Sequence, residues 1–520
     1  MSQRSTLDTW MIILTVMTGS IMSALDTSIV NVALPHMQGA FGASVEEIAW
    51  VSTGYILSCV IVMPLIAFLS SRFGRKNFYL FSIVLFTVSS MLCGIARDLP
   101  SMVIFRILQG MGGGTLVPVA QAILRETLPP QDRGKAMGIY GFGVILGPAV
   151  GPTLGGWLTD QYSWPWIFYI NVPIGILNTL LVMRYIEDPP HLVREKGRMD
   201  ITGLLFMIVG LGALQIMLEK GQRRDWFTSD FIVWLAVVAC IGLAAFVRQE
   251  LKTDRPAVNL RILKNINFTL TTVLGGILGL CLYGSLFIMP LFLQHLLGHP
   301  AYESGLAMLP RAMLMAFSML IAGKIYVWIG PRLMIMIGLT VNAMSFFMFS
   351  RFSLDVGYWD LFLPQCLQGL GFGFIFVAVS AAALSGIEMK LMTAATGLYN
   401  VVRQVFGSFG IALCGTLLTH GESWNRAALM WHVSALNEST VESQQMISSF
   451  LVFQGGDPAT ADQGALRILE GIVMQQASML SFNHVFFTLA VLFMLSMPLV
   501  ILIKDPRLMA MKNSGTAGSG

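Results

Sequence analysis

Charged residues are scarce in this 520-residue sequence. They make up 12% of it, against roughly 25% in an ordinary soluble domain. Hydrophobic residues make up 55%, and the mean hydropathy is +0.71. This balance excludes a soluble enzyme with a minor anchor, a disordered scaffold and a fibrous protein. No polar stretch is long enough for a separate catalytic domain of ordinary size. A net charge of +4 leaves no basic footprint for nucleic acid. Catalytic signatures are missing too. There is no GxxxxGK followed by Ser or Thr, no HExxH and no GxSxG. Histidines number seven, mostly in loops, and no Ser/His/Asp set favours hydrolysis. The expectation is therefore no catalytic residues, no metal and no cofactor. Cys59, Cys93, Cys240, Cys281, Cys366 and Cys414 fall in apolar runs without a CxxC pair. They read as six buried, inert thiols. The first apolar run is too long for a signal-peptide core and lacks a small-residue cleavage site.

What the sequence has in quantity is long apolar runs. A bilayer crossing needs about 20 mostly apolar residues, and fourteen stretches qualify. Six come first: Trp10–Leu34, Ile48–Ser70, Phe78–Arg97, Ser101–Leu124, Ala136–Leu158 and Pro165–Ile186. Asp200–Leu218 and Asp230–Gln249 follow a charged stretch. The last six are Phe268–Leu293, Glu303–Trp328, Arg332–Ser350, Trp359–Gly386, Thr393–Leu418 and Phe482–Ile503. With both termini cytoplasmic, 21 of the 32 basic residues lie on the cytoplasmic side, seven outside and four within spans. That bias sets the orientation. Most loops are short. The exception is an external segment, Thr419–Ser481, with a turn-rich centre at Gly455-Gly456-Asp457-Pro458. Leu466, Leu469, Val473 and Leu480 then mark an amphipathic helix. It reads either as a lid packed on its own protein or as a docking surface. Ser514–Gly520 reads as a flexible tail within 504–520.

The chain repeats itself. Arg106-Ile-Leu-Gln109-Gly110-Met-Gly112-Gly-Gly114 in the fourth span is matched by Gln365-Cys-Leu-Gln368-Gly369-Leu-Gly371-Phe-Gly373 in the twelfth. Arg72-Phe-Gly74-Arg75 after the second span is echoed by Trp328-Ile-Gly330-Pro-Arg332 after the tenth. The two offsets, 259 and 256 residues, nearly agree. The predicted architecture is all-α and membrane-integral: two pseudo-symmetric six-helix bundles, 1–186 and 265–503, with two helices inserted between them at 187–264. Such repeats around a midplane site are a transporter plan.

Few residues can carry chemistry inside such a bundle. Asp26 is the acid placed well inside a span. A buried carboxylate costs several kcal/mol when ionised, and intramembrane acids are functional by default. It reads as a proton carrier, as a counter-ion for a cationic substrate, or as a carboxylate near the outer water boundary. Arg106 stays charged and either biases Asp26 or ties down backbone carbonyls. Gly143, Gly147, Gly151 and Gly155 recur every four residues in the fifth span beside Pro148 and Pro152. They form a smooth stripe for close helix approach. It suits a helix pair sealing one side of a pore, or a static crossing. Tyr399, Asn400 and Arg403 share a turn of the thirteenth span, and Gln365 and Gln368 a turn of the twelfth. These, with Asp26, Asn31 and Gln121, are candidate pocket residues or polar glue between helices. Arg311 and Lys324 lie nearer span ends and are expected to snorkel to the interface.

Together these residues resemble the major facilitator superfamily, and within it the fourteen-span drug:proton antiporters of the EmrB/QacA type. The resemblance runs from Leu25 to about Ile503. Leu25-Asp26-Thr27-Ser28-Ile29-Val30-Asn31-Val32-Ala33-Leu34-Pro35 is similar to the family's first-span signature. Arg106–Gly110 resembles the fourth-span motif, whose Arg is implicated in proton transfer. Gly147-Pro148-Ala-Val-Gly151-Pro152 with Gly155 and Gly156 resembles the antiporter motif. Trp166-Ile-Phe-Tyr-Ile-Asn171-Val-Pro173-Ile-Gly175 and Asp225-Trp226-Phe227 also resemble this subgroup. Arg72, Gly74, Arg75 and Lys76 occupy the cytoplasmic gate motif, but Ser71 stands where the family usually has Asp. The tenth span lacks the acid that some relatives use for divalent cations. The resemblance implies proton-coupled export of lipophilic, monocationic or neutral compounds across a bacterial inner membrane, with Asp26 as the proton and substrate switch. The long last external segment, with Gln475-Gln476-Ala477, resembles exporters that work with a periplasmic adaptor and an outer-membrane channel. A carrier of one metabolite on the same fold, and a non-transporting receptor, are the alternatives.

Overall fold

The computed structural model describes residues 6–503 apart from 129–132, 189–199, 254–255, 257, 432, 434–436 and 456. The tail at 504–520 and Gly456 lie outside these. Fourteen helices are long and apolar enough to cross a membrane, and no strand occurs among the described residues. The reason is elementary. Hydrocarbon offers no partner for a backbone amide, so each crossing must satisfy its hydrogen bonds internally.

In the first half these helices are α1 (Thr6–Phe41), α2 (Glu46–Phe73), α3 (Arg75–Gly94), α4 (Leu99–Thr127), α5 (Arg133–Gln161) and α6 (Trp166–Tyr185). The inserted pair is α7 (Ile201–Lys220) and α8 (Asp230–Lys252). The second half holds α9 (Ile266–Leu291), α10 (Ala301–Ile329), α11 (Pro331–Phe349), α12 (Tyr358–Ala383) and α13 (Met392–Met430). A short α14 (Glu438–Phe453) leads to the last span, α15 (Pro458–Ile501).

Packing repeats along with the sequence. In each half the first helix packs on the fifth, the fourth on the second and third, and the third on the sixth. Even the backbone repeats: Gly74 and Gly330, 256 residues apart, both sit at φ +86° between a half's second and third helices. That left-handed value favours glycine, so the turn is built alike in both halves.

The halves meet crosswise, α5 against α10 and α13 against α2 and α4. Hydrogen bonds and backbone contacts across this seam lie at the end that carries Arg75 and Arg125. There α5 and α10 touch backbone to backbone: a Cβ on Gly138 would lie 2.5 Å from the Met319 carbonyl oxygen, and one on Gly323 2.6 Å from that of Gly134. At the opposite end α7 clasps both halves. Thr53 of α2 donates to Glu219 at 2.6 Å, while Trp226 donates to Thr416 and Gln222 to Thr419 of α13 at 2.7 and 2.8 Å.

Three expectations need correction. The segment 419–481 is mostly helix: α13 continues past the apolar run to Met430, and α15 begins at Pro458. Hydropathy marks where a bilayer ends, not where a helix does. The turn is where it was expected, with Gly455 at φ +93° and Asp457 capping α15 through the Ala459 amide. The buried stripe of α15 is Ala461, Ala465, Val473 and Ala477, whereas Leu466 and Leu480 are exposed. Small residues won this face because α15 is held close to α14, with Ser448 donating to Asp462, and to α13, with Asn425 donating to Ser481 and Arg426 paired with Glu470. Lastly, the cysteines are not all buried. Cys366 of α12 is only partly covered, and Cys240 is exposed because α8 packs a narrow face on α7 and turns its remaining apolar surface outward.

Candidate functional site

Asp26 is fully buried within α1. The glycine stripe of α5 lets α1 lie against it. A Cβ on Gly147 would sit 2.8 Å from the Leu25 amide nitrogen, one residue before Asp26. The stripe from Gly143 to Gly155 therefore fits α5 to α1 within the first half, with Met17, Ser28 and Ile29 also filling its notches. It does not cross to the other half. Gly134, Gly138 and Gly323 make that crossing. Gly156 is looser, its nearest neighbour Val32 being 4.0 Å from a built Cβ. Pro148 and Pro152 lie inside the helix, and the Pro148 carbonyl accepts from Ser28 at 3.3 Å.

Opposite Asp26 stands α4. Arg106 Nη1 donates to Asp26 Oδ2 at 2.6 Å and to Gln109 Oε1 at 2.7 Å. Arg106 Nε donates to the Val51 carbonyl at 3.1 Å, so this Arg holds a backbone carbonyl as well as Asp26. Its guanidinium lies over the Tyr55 ring, 4.3 Å from the centroid. Asp26 Oδ1 accepts from Gln109 Nε2 at 2.8 Å and from Asn171 Nδ2 of α6 at 3.2 Å. Asn171 also donates to Ser90 at 3.1 Å. Two helices, α4 and α6, thus supply three donors to one carboxylate, the pattern that holds a buried ionised acid. Gln109 and Asn171 were visible in sequence only as parts of motifs. An amide one turn from the buried Arg was the available signal.

The other pocket candidates divide. Gln121 Oε1 accepts from Asn400 Nδ2 at 2.8 Å, across the seam. The remaining amide atoms, Gln121 Nε2 and Asn400 Oδ1, are buried with no partner. Tyr399 meets Ser380 at 3.3 Å, hydroxyl to hydroxyl. Arg403 lies over the rings of Phe376 and Tyr399, 5.4 and 5.8 Å from their centroids. Gln365 and Gln368 are fully buried. Asn31 is exposed, accepts from Ser52 at 3.2 Å and does not join the Asp26 cluster.

Arg311 does not snorkel. It is buried, and its Nη1 donates to Ser285 at 2.9 Å and Gln368 at 3.1 Å. The sequence placed it two turns inside the span, and α12 closes over it at Gly369, where a Cβ would lie 2.3 Å from the Arg311 carbonyl oxygen. Lys324 is exposed.

At the basic end, Arg75 is buried, paired with Glu126 and donating to Thr393 across the seam at 2.5 Å. Arg125 donates to the carbonyls of Ala381 and Leu384 at 3.3 and 2.8 Å. It thereby caps the end of α12. The sequence reading closed the fourth span at Leu124, one residue short of this pair. Ser71 donates to its own helix, to the Phe68 carbonyl. The carboxylate near Gly74 is Asp188, which accepts from the Lys76 amide at 2.8 Å, while Lys76 Nζ donates to the Met183 carbonyl at 2.7 Å. Arg72 is exposed.

Two six-helix halves joined crosswise, with a buried acid and Arg in the first, are matched by a family profile described as Major Facilitator Superfamily over residues 16–411. The chain belongs to that superfamily. It is 32% identical to the fatty acid resistance protein FarB of Neisseria gonorrhoeae, over 93% of this chain and 94% of that one. It is 33% identical to the multidrug export protein EmrB of Haemophilus influenzae, over 82% and 84%. With EmrB of Escherichia coli it shares 31% over 93% of each chain. Among solved structures, the human organic anion transporter MFSD10 superposes with a TM-score of 0.63 at 12% identity, covering 95% of this chain and 99% of that one. The proton:xylose symporter XylE gives 0.60 at 14%, covering 96% of each. A transporter of the superfamily, not an enzyme, is the class these relatives share.

Proposed function

We propose that this chain is a proton-coupled antiporter that exports lipophilic compounds, neutral or monocationic, across a bacterial inner membrane by alternating access. The observation that carries it is the Asp26 carboxylate, fully buried and gripped by Arg106, Gln109 and Asn171. An ionised Asp26 holds α1 to α4 and α6. Protonation removes the charge that Arg106 faces. Arg106 then keeps Gln109, the Val51 carbonyl and the rings of Tyr55 and Phe168. A buried ion pair is strongly sensitive to loss of one partner, so proton binding can bias a two-state bundle. With the basic end cytoplasmic, the Arg75, Arg125 and Gly138 contacts close the path from the cytoplasm. The glycine-lined α5–α10 crossing is then the contact that must part for substrate to enter.

The relatives named for multidrug export and fatty acid resistance support a lipophilic cargo. The helical projection formed by α13, α14 and α15 carries exposed Trp424, Trp431, Phe450 and Phe453. It would suit a periplasmic adaptor that leads to an outer-membrane channel.

The test is efflux of a lipophilic cationic dye from cells lacking their own pumps, with Asp26→Asn at equal membrane expression. The expected result is protonophore-sensitive efflux by the wild type and none by the variant. Equal efflux by both would remove Asp26 from the coupling mechanism.

A further inference from the structure

Shifted by the repeat's 259 residues, Gln109 falls on Gln368 and Asp26 on Ser285. The structure treats the second pair as it treats the first. Ser285 on α9 and Gln368 on α12 are both fully buried and share one guanidinium nitrogen, Nη1 of Arg311. The cation comes from a different helix, α10 rather than the fourth helix of the half. The acid is missing. Ser285 is neutral where Asp26 is charged, and no carboxylate among the described residues pairs with Arg311.

Burying a guanidinium without a counter-charge is costly. Both of its hydrogen bonds leave from Nη1, so the Nε and Nη2 donors are given to no described residue. Those two nitrogens form the fork that takes a carboxylate side-on. More unused polarity lies nearby on α12. Gln368 Nε2, and both amide atoms of Gln365 one turn before it, are buried with no partner. The free Gln368 amide donor beside a guanidinium without a counter-charge is the same kind of set that Gln109 and Arg106 present to Asp26.

We propose that Arg311, with Ser285 and Gln368, is a subsite for the carboxylate of a lipophilic acid, which supplies from the ligand the anion that the first half supplies from Asp26. A carboxylic acid is ionised at neutral pH, and its apolar body suits an interior rich in Met and Phe. The subsite deepens the export reading, adding lipophilic acids to its cargo, and rests on that reading for its purpose. Its binding can be tested without it.

The experiment uses the full-length protein purified in uncharged detergent, with no proton gradient. Its unfolding midpoint is followed while decanoate, decanol or decylamine is added at constant ionic strength. Decanoate is expected to raise the midpoint well above what the alcohol or the amine achieves. Ser285→Asp gives Arg311 an internal carboxylate and is expected to weaken the decanoate response by about tenfold or more, the loss of one charge-assisted contact. Arg311→Gln should weaken it likewise. Should Arg311→Gln not fold, Ser285→Asp still decides, because it adds a partner rather than removing one. The proposal is overturned if decanol acts as strongly as decanoate. It is equally overturned if chloride alone gives the decanoate response, or if that response survives Ser285→Asp. None of these outcomes depends on dye efflux or on Asp26, so failure here is distinguishable from failure of the export reading.

Discussion

The Asp26–Arg106 cluster and the Ser285–Arg311 cluster are two versions of one construction. Each places a first-helix residue and a fourth-helix Gln around a buried guanidinium. In the first half the cation is neutralised internally and every Asp26 oxygen has a donor. In the second half it is held only by neutral acceptors. The difference teaches that duplication preserves packing more faithfully than charge. The Gly-rich face of the fourth helix recurs because backbones must touch there. A Cβ on Gly110 would lie 2.4 Å from the Tyr55 carbonyl oxygen, and one on Gly369 2.3 Å from that of Arg311. No such steric demand fixes the side chain opposite the guanidinium, so the two halves were free to differ there, Asp26 in one and Ser285 in the other.

Substitutions can break this comparison at either end. The largest effect is expected from Arg106→Gln, which strands the buried Asp26 charge; breaking such a pair costs about 3–5 kcal/mol. Adding Asp26→Asn should return much of that loss, and unfolding midpoints of the single and double variants in detergent would measure it. A double variant no more stable than Arg106→Gln would mean that the pair is not coupled. Gln109→Leu comes next. It removes one donor from Asp26 and one acceptor from Arg106, for about 1–3 kcal/mol. Arg311→Met should cost less than Gln109→Leu in the same measurement, since no ion pair is lost and an uncompensated buried cation is removed. If Arg311→Met proves as damaging as Arg106→Gln, the two clusters are equivalent structural ties and the asymmetry drawn between them is wrong. The smallest effect is expected from Arg426→Ala. Its pairing with Glu470 is half-exposed on the projecting helices, and such pairs contribute about 0–1 kcal/mol.

Much of this molecule could be read before any coordinates. Asp26 and Arg106 stood out because charges inside apolar runs are rare. Their contact did not, since 80 residues separate them and helical periodicity says nothing about which helices touch. Gln109 was quoted as part of a repeat and Asn171 as part of a motif, and neither was placed at the acid. The glycine stripe was recognised as a close-packing surface, but its partner, α1 of its own half, was not. A position two turns into a span leaves both snorkelling and burial open to Arg311, and the close crossing at Gly369 decides for burial. The run around Cys240 reads as buried although the residue is exposed, because an apolar run looks the same whether it faces protein or lipid.

The sequence by itself determined the number of crossings, the all-helical class and the twofold repeat. Hydrocarbon forces that much, since any crossing must be apolar outside and hydrogen-bonded within. The tertiary structure alone decided which side chains meet. It brought Asp26 to Arg106, set Arg311 beside Ser285 without an acid, and closed the seam at the basic end. Those meetings depend on helix rotation and crossing, which are set by contacts between residues far apart in the chain.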